Sequence, residues 1–283
     1  MLAPGTVGAV RLPREVDELT ARYRIHGGEW VRGAFVIGSA ALGDWWPGAS
    51  DVDMVVLVES ADPAHDRRLR EIHARVRADL GTGAAPDLEV LYLADGDLAQ
   101  APAQVGARPH HRSGLLRRDA DMSTPVTWHS LAQHGIPVAG PGGETAELGE
   151  LWLDNASLRV WCRSNLASYW AGWVTRGVRP ATRDGMVLLT DWAVEWCVLG
   201  VLRLRHTIDT GAIPSKSGAG RWALSALALD PSERALIEEA LVLRGATVDG
   251  SGADGPDRGH AAERRERTVA FMRRVIDESA RPA

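Results

Sequence analysis

The residues Phe35-Val36-Ile37-Gly38-Ser39, followed after a turn-rich excursion by Ser50-Asp51-Val52-Asp53-Met54-Val55-Val56-Leu57-Val58, decide the fold of this chain. They read as a strand that ends in a Gly-Ser turn and a second strand that opens on two carboxylates. Alternate side chains of a strand share a face, so Asp51 and Asp53 point the same way, toward the sheet edge that carries the turn. Two carboxylates fixed so close repel unless something neutralises them. A divalent cation held jointly with phosphate oxygens does so, which makes Asp51 and Asp53 candidate Mg²⁺ ligands. Gly38 lets a ligand approach the backbone, and Ser39 offers a hydroxyl and an N–H to phosphate oxygens.

Working outward, Asp44-Trp45-Trp46-Pro47-Gly48-Ala49 is a loop by its turn chemistry. Trp45 and Trp46 either flank a ligand or pack that loop down. Residues 13–23 and 64–80 read as helices, the second with Leu69, Ile72, Val76 and Leu80 at helical spacing. A third strand spans Asp87 to Leu93, and Asp87 and Glu89 share one of its faces. Asp87 follows Pro86 and lies nearer the strand's start, so Glu89 is the candidate third carboxylate. It is either a metal ligand or the acceptor of a proton from an attacking hydroxyl.

The segment 99–121, rich in Pro, Gly, Arg and His, reads as a long loop with strand fragments. Its basic residues Arg108, His110, His111, Arg112, Arg117 and Arg118 suit a solvated loop, or alternatively a lid facing a triphosphate. Residues 126–134 form a helix, 136–138 an edge strand, and 139–143 a glycine-rich linker. After the linker the pattern is helical, with Trp152 and Trp170 sharing one helix face and Trp192 and Trp196 another. The expected class is α+β: a small mixed β-sheet domain over residues 1–142, then an all-helical domain over 143–283 that covers substrate and nucleotide.

Composition narrows the function. Among 283 residues the net charge is -5 and the pI about 6.0, which argues against a nucleic-acid binder and suits a cationic small molecule. Cys162 and Cys197 lack CxxC spacing and read as buried thiols of a reducing compartment. Residues 1–27 carry no apolar leader core, and no apolar run reaches membrane-span length. The expectation is a cytoplasmic protein without membrane or nucleic-acid partners. Lys216 is the one lysine among 32 basic residues. A compact ammonium meets a phosphate oxygen as a point charge in a way that arginine does not reproduce.

Gly38-Ser39 with Asp51-Val52-Asp53 resembles the signature of the nucleotidyltransferase superfamily, with its polymerase-beta-like fold. The whole chain is similar to the aminoglycoside adenylyltransferases that modify streptomycin and spectinomycin. Two further stretches carry the likeness. They are His134-Gly135-Ile136-Pro137-Val138-Ala139-Gly140-Pro141, and Thr210-Gly211-Ala212-Ile213-Pro214-Ser215-Lys216 followed by Trp222-Ala223. The resemblance implies that Asp51 and Asp53 bind Mg²⁺ with ATP as co-substrate, and that Gly38 and Ser39 bind its phosphates. It also implies that Lys216 contacts the nucleotide and Glu89 is the catalytic base. It implies transfer of AMP to a hydroxyl of a cationic antibiotic. Asp191 and Glu195, one turn apart beside Trp192 and Trp196, are the candidate substrate residues. The alternatives are nucleotidyl transfer to another small molecule or a protein side chain, and a non-catalytic nucleotide-binding antitoxin or regulatory module. Three filled acidic positions and a large second domain favour an enzyme.

Overall fold

The computed structural model describes residues 11–81, 86–140, 142–179, 182–245 and 261–281. The chain divides into two compact units, residues 1–154 and 155–283.

The first unit is built on a six-stranded mixed sheet. Its strands are β1 (Val31–Ile37), β2 (Val52–Val58), β3 (Leu88–Ala94), β4 (Arg108–Arg112), β5 (Leu115–Asp119) and β6 (Ile136–Pro137), in the order β5-β4-β3-β2-β1-β6. Only β2 and β3 run parallel among the paired strands, with Asp53 opposite Glu89. Helices α1 (Arg14–Gly27) and α3 (Asp66–Leu80) cover one face. The four-residue α2 (Gly38–Ala41) follows β1, α4 (Pro102–Val105) precedes β4, and α5 (Pro125–His134) packs against the other face of β1.

Strand alternation sorts the two cores. Val52, Met54, Val56, Val90 and Tyr92 join Leu19, Tyr23, Leu69 and Ile72 on the α1/α3 face. Phe35, Val55, Leu91 and Leu93 join Trp128 and Leu131 on the opposite face. Central strands buried on both sides read as nearly continuous apolar runs, which is why β2 and β3 stand out in the sequence. The same alternation puts Asp53 and Glu89 on the α5 face, at the end where the strands begin.

Two expectations need correction. The strand fragments expected in residues 99–121 are the β4–β5 hairpin, and a short helix precedes it where loop was expected; His110 and His111 are buried, and Arg108, Arg112 and Arg118 are paired. Arg108 grips Asp97 with bonds of 2.8 and 2.7 Å, and Arg118 grips Asp66 with bonds of 2.9 and 2.6 Å. Trp152 is not on a helix with Trp170. Residues 145–154 are extended: Trp152 donates its backbone N–H to Leu98 O at 2.7 Å, and Ala146, Leu148, Leu151 and Trp152 pack on the α5-face core. This packing is why the first unit runs to Asp154, past the linker near residue 142.

The second unit is helical: α6 (Asn155–Asn165), a π-helical turn at Leu166–Trp170, α7 (Ala171–Gly177), α8 (Arg183–Val187), α9 (Asp191–Thr210), α10 (Lys216–Ala226), α11 (Pro231–Leu243) and α12 (Ala261–Ser279). Helix α9 is its axis, burying Val194, Cys197, Val198, Val201 and Leu202. Local sequence sets the ends. Thr190 caps α9 by accepting from Ala193 N–H, Gly211 closes it in the left-handed region, and Ser215 caps α10. Asp230 and Glu233 form a capping box on α11. Cys162 and Cys197 are free and buried, and burial pushes both thiols up to about 12. Among the described residues no helix is long and apolar enough to cross a membrane.

Candidate active site

The turn after β1 is shaped by Gly38. Its φ of 65° lies in the left-handed region, where an L side chain is strained. A β-carbon there would also collide with Asp53 Oδ2, so the residue must be glycine for the carboxylate to lie against the turn. Ser39 comes next, and its Oγ is buried without a hydrogen-bond partner. Buried hydroxyls are seldom left unsatisfied, so this one keeps its full hydrogen-bonding capacity beside the turn.

The loop from β1 to β2 is pinned from below. Trp45 packs its ring on the α1/α3-face core and donates Nε1–H to Asp51 O at 3.1 Å. Of the two readings open for Trp45, the structure supports packing of the loop. Trp46 Nε1–H reaches Asp44 Oδ1 at 3.4 Å, and Ser50 Oγ accepts the Trp46 N–H at 3.1 Å.

Parallel pairing of β2 with β3 then brings the third acid in. One carboxylate oxygen each of Asp51, Asp53 and Glu89 lies within 4.8 Å of the other two. Asp87 is not in this cluster; it faces Arg77 at 3.6 Å. An all-oxygen donor set of two or three carboxylates, with an unspent hydroxyl on the adjacent turn, fits a hard divalent cation such as Mg²⁺.

Glu89 differs from the two aspartates. Its side chain is only 12% exposed, and burial pushes its pKa upward. The Arg112 guanidinium pulls it back down, and the Asp51 and Asp87 charges push it up. Arg112 donates Nε–H to Glu89 Oε1 at 3.0 Å. The sequence placed Arg112 only within a basic stretch, and its pairing with Glu89 is what sequence reasoning missed. The signal was strand parity: His110 pairs with Leu91, which carries Arg112 alongside Glu89 once the hairpin is recognised.

The remaining candidates lie in the second unit. Lys216 opens α10, a poor place for a cation on helix-dipole grounds. It is compensated by Glu195 Oε1 at 3.0 Å, which Arg244 Nη1 also approaches at 3.4 Å. Burial lowers the Lys216 pKa, Glu195 raises it, and Arg244 and Arg203 lower it again. Glu195 is therefore a buried anchor for two cations rather than an open acid. Asp191, 39% exposed, pairs with Arg264 at 2.8 Å. Trp192 stacks on Trp196 with centroids 5.1 Å apart, and Tyr169, Trp170 and Trp173 pack edge-on or tilted around Trp196. Gly200 makes room for this cluster, since a β-carbon there would strike the Trp170 ring.

No protein-family model and no curated protein sequence matches the chain. A solved structure does: spectinomycin adenyltransferase AAD(9) from Enterococcus faecialis, determined with ATP and spectinomycin. It aligns at a TM-score of 0.59 with 14% sequence identity, covering 94% of this chain and 100% of that one. At this identity the likeness shows a shared fold. The chain thus resembles an aminoglycoside adenylyltransferase in three dimensions as well as in its motifs.

Proposed function

We propose that the chain is a nucleotidyltransferase that moves AMP from ATP to a hydroxyl of a cationic, aminoglycoside-type small molecule. The observation that carries this reading is the carboxylate cluster Asp51, Asp53 and Glu89 beside the unpartnered Ser39 hydroxyl. Asp51 and Asp53 would hold Mg²⁺, which when bound neutralises triphosphate oxygens. Ser39 Oγ donates to a phosphate oxygen, and Gly38 lets the Asp53 carboxylate lie against the turn beside it.

Glu89 takes the proton from the acceptor hydroxyl, whose oxygen attacks the α-phosphorus as the bond to the pyrophosphate oxygen breaks. A carboxylate raised by burial is a stronger base than an ordinary glutamate, which suits that role. Arg112 positions it by holding Oε1. Lys216, steadied by Glu195, supplies a point charge to the nucleotide phosphates. Asp191 and the exposed face of Trp192 offer a carboxylate and an aromatic ring to a cationic acceptor. Positioning and charge stabilisation account for most of the rate in such transfers.

The test is pyrophosphate release from Mg²⁺-ATP across a panel of aminoglycosides, with mass spectrometry of the products for addition of one AMP. Full activity in Asp53→Ala would refute the metal assignment. Tight ATP binding with no turnover on any acceptor would refute the transferase reading.

A further inference from the structure

A cavity lies on the α1/α3 side of the first unit's sheet, opposite the carboxylate cluster. Strand alternation separates the two places: Leu88 and His111 turn toward the α1/α3 face, whereas their neighbours Glu89 and Arg112 turn toward the carboxylates. The cavity has a volume of about 970 Å³, at the upper end of the roughly 300–1,000 Å³ usual for organic-ligand sites. Leu19, Leu80, Leu88, Leu115 and Leu116 supply apolar wall, and Leu115 stands 55% exposed.

Its polar groups are few and sorted. His73 and His111 stack with centroids 3.5 Å apart on one wall. His111 Nδ1 lies 3.2 Å from Leu88 O, and His73 Nε2 lies 2.5 Å from the Tyr92 hydroxyl, which ties both rings down. Burial lowers both pKa values and so disfavours a charge on this wall. Two guanidiniums, Arg70 and Arg77, line the cavity against one carboxylate, Asp87. Their ion pairs are long and exposed, 3.8 Å from Arg70 to Asp66 and 3.6 Å from Arg77 to Asp87. Such pairs are worth little, and either arginine can turn to another anion.

We infer that this cavity is a binding site for an amphipathic organic anion, with an apolar body among the leucines and an acidic group against Arg70 and Arg77. This site is separate from the carboxylate cluster, and its test does not depend on nucleotide chemistry.

The experiment titrates the full chain with 8-anilinonaphthalene-1-sulfonate, reading its fluorescence, and then adds decanoate as competitor. Saturable enhancement at one site and displacement by decanoate are expected. Ala74→Trp, at an exposed lining position of α3, is expected to weaken binding by about tenfold or more, and Arg70→Glu with Arg77→Glu by roughly threefold to tenfold. Leu115→Glu serves as a second blocking variant at an exposed position, and thermal melts confirm that each variant is folded. No saturable enhancement in the wild type would overturn the site. Unchanged affinity in both Ala74→Trp and Leu115→Glu would place the dye elsewhere and overturn it too. Unchanged affinity in the double charge reversal would overturn the anion class.

Discussion

Glu195→Gln is expected to destabilise the helical unit, because the carboxylate is the counter-ion of two largely buried cations. The side chains of Glu195, Lys216 and Arg244 are 10%, 22% and 6% exposed. In the wild type the three charges sum to one positive charge; glutamine keeps the shape but leaves two. Breaking a buried pair from one side costs about 3–5 kcal/mol. Lys216 is exposed enough to turn its ammonium toward water, so the lower end applies, about 3 kcal/mol. For a urea dependence near 2 kcal/mol/M, this lowers the unfolding midpoint by about 1.5 M.

The same reasoning fixes the pH dependence. Lys216 is already depressed below the ordinary lysine value, and the variant loses the Glu195 charge that holds it up. A lysine whose folded pKa lies below its unfolded one binds fewer protons when folded. Stability then rises with pH between the two values. The deficit of Glu195→Gln should therefore shrink as pH climbs toward the unfolded lysine value. Adding Lys216→Met should restore part of the loss at neutral pH. The assay is urea unfolding followed by tryptophan fluorescence and circular dichroism. A loss below about 1 kcal/mol would be that of an exposed pair and would refute the buried-anchor argument.

Three further outcomes are expected. Gly38→Ala should cost about 1–2 kcal/mol from the left-handed backbone alone, and it should weaken divalent-cation binding measured by calorimetry because Asp53 must move. Arg112→Gln removes the charge that pulls Glu89 down, so Glu89 should titrate higher. A base works when deprotonated, so the acidic limb of the pH–rate profile should move to higher pH; a limb that stays put would deny Glu89 the role. Tyr92→Phe should cost about 1–3 kcal/mol in chemical denaturation, since it strips the Tyr23 hydroxyl, 2.8 Å away, and His73 of a fully buried partner.

Legibility in the sequence follows interaction range. The β1 turn and β2 could be read because glycine, paired aspartates and an apolar run are local signals, and the structure brings Asp51, Asp53 and Glu89 together. The β4–β5 hairpin could not. Its strands carry arginines and histidines whose partners, Asp97, Asp66, Glu89 and Leu88, are brought close only by folding. Residues 145–154 misled for the complementary reason: their apolar residues suit a helix as well as an extended strap, and packing on the α5-face core selects the strap.

By itself, then, the sequence determined a sheet domain with a Gly-Ser turn and three acids, a helical domain after it, and an unusual lone lysine. Tertiary structure alone decided who neutralises whom. Glu195 belongs to Lys216 and Arg244, and Arg112 belongs to Glu89. Charge pairing is a property of distance in space, and no spacing along the chain encodes an ion pair between elements that meet only when the chain has folded.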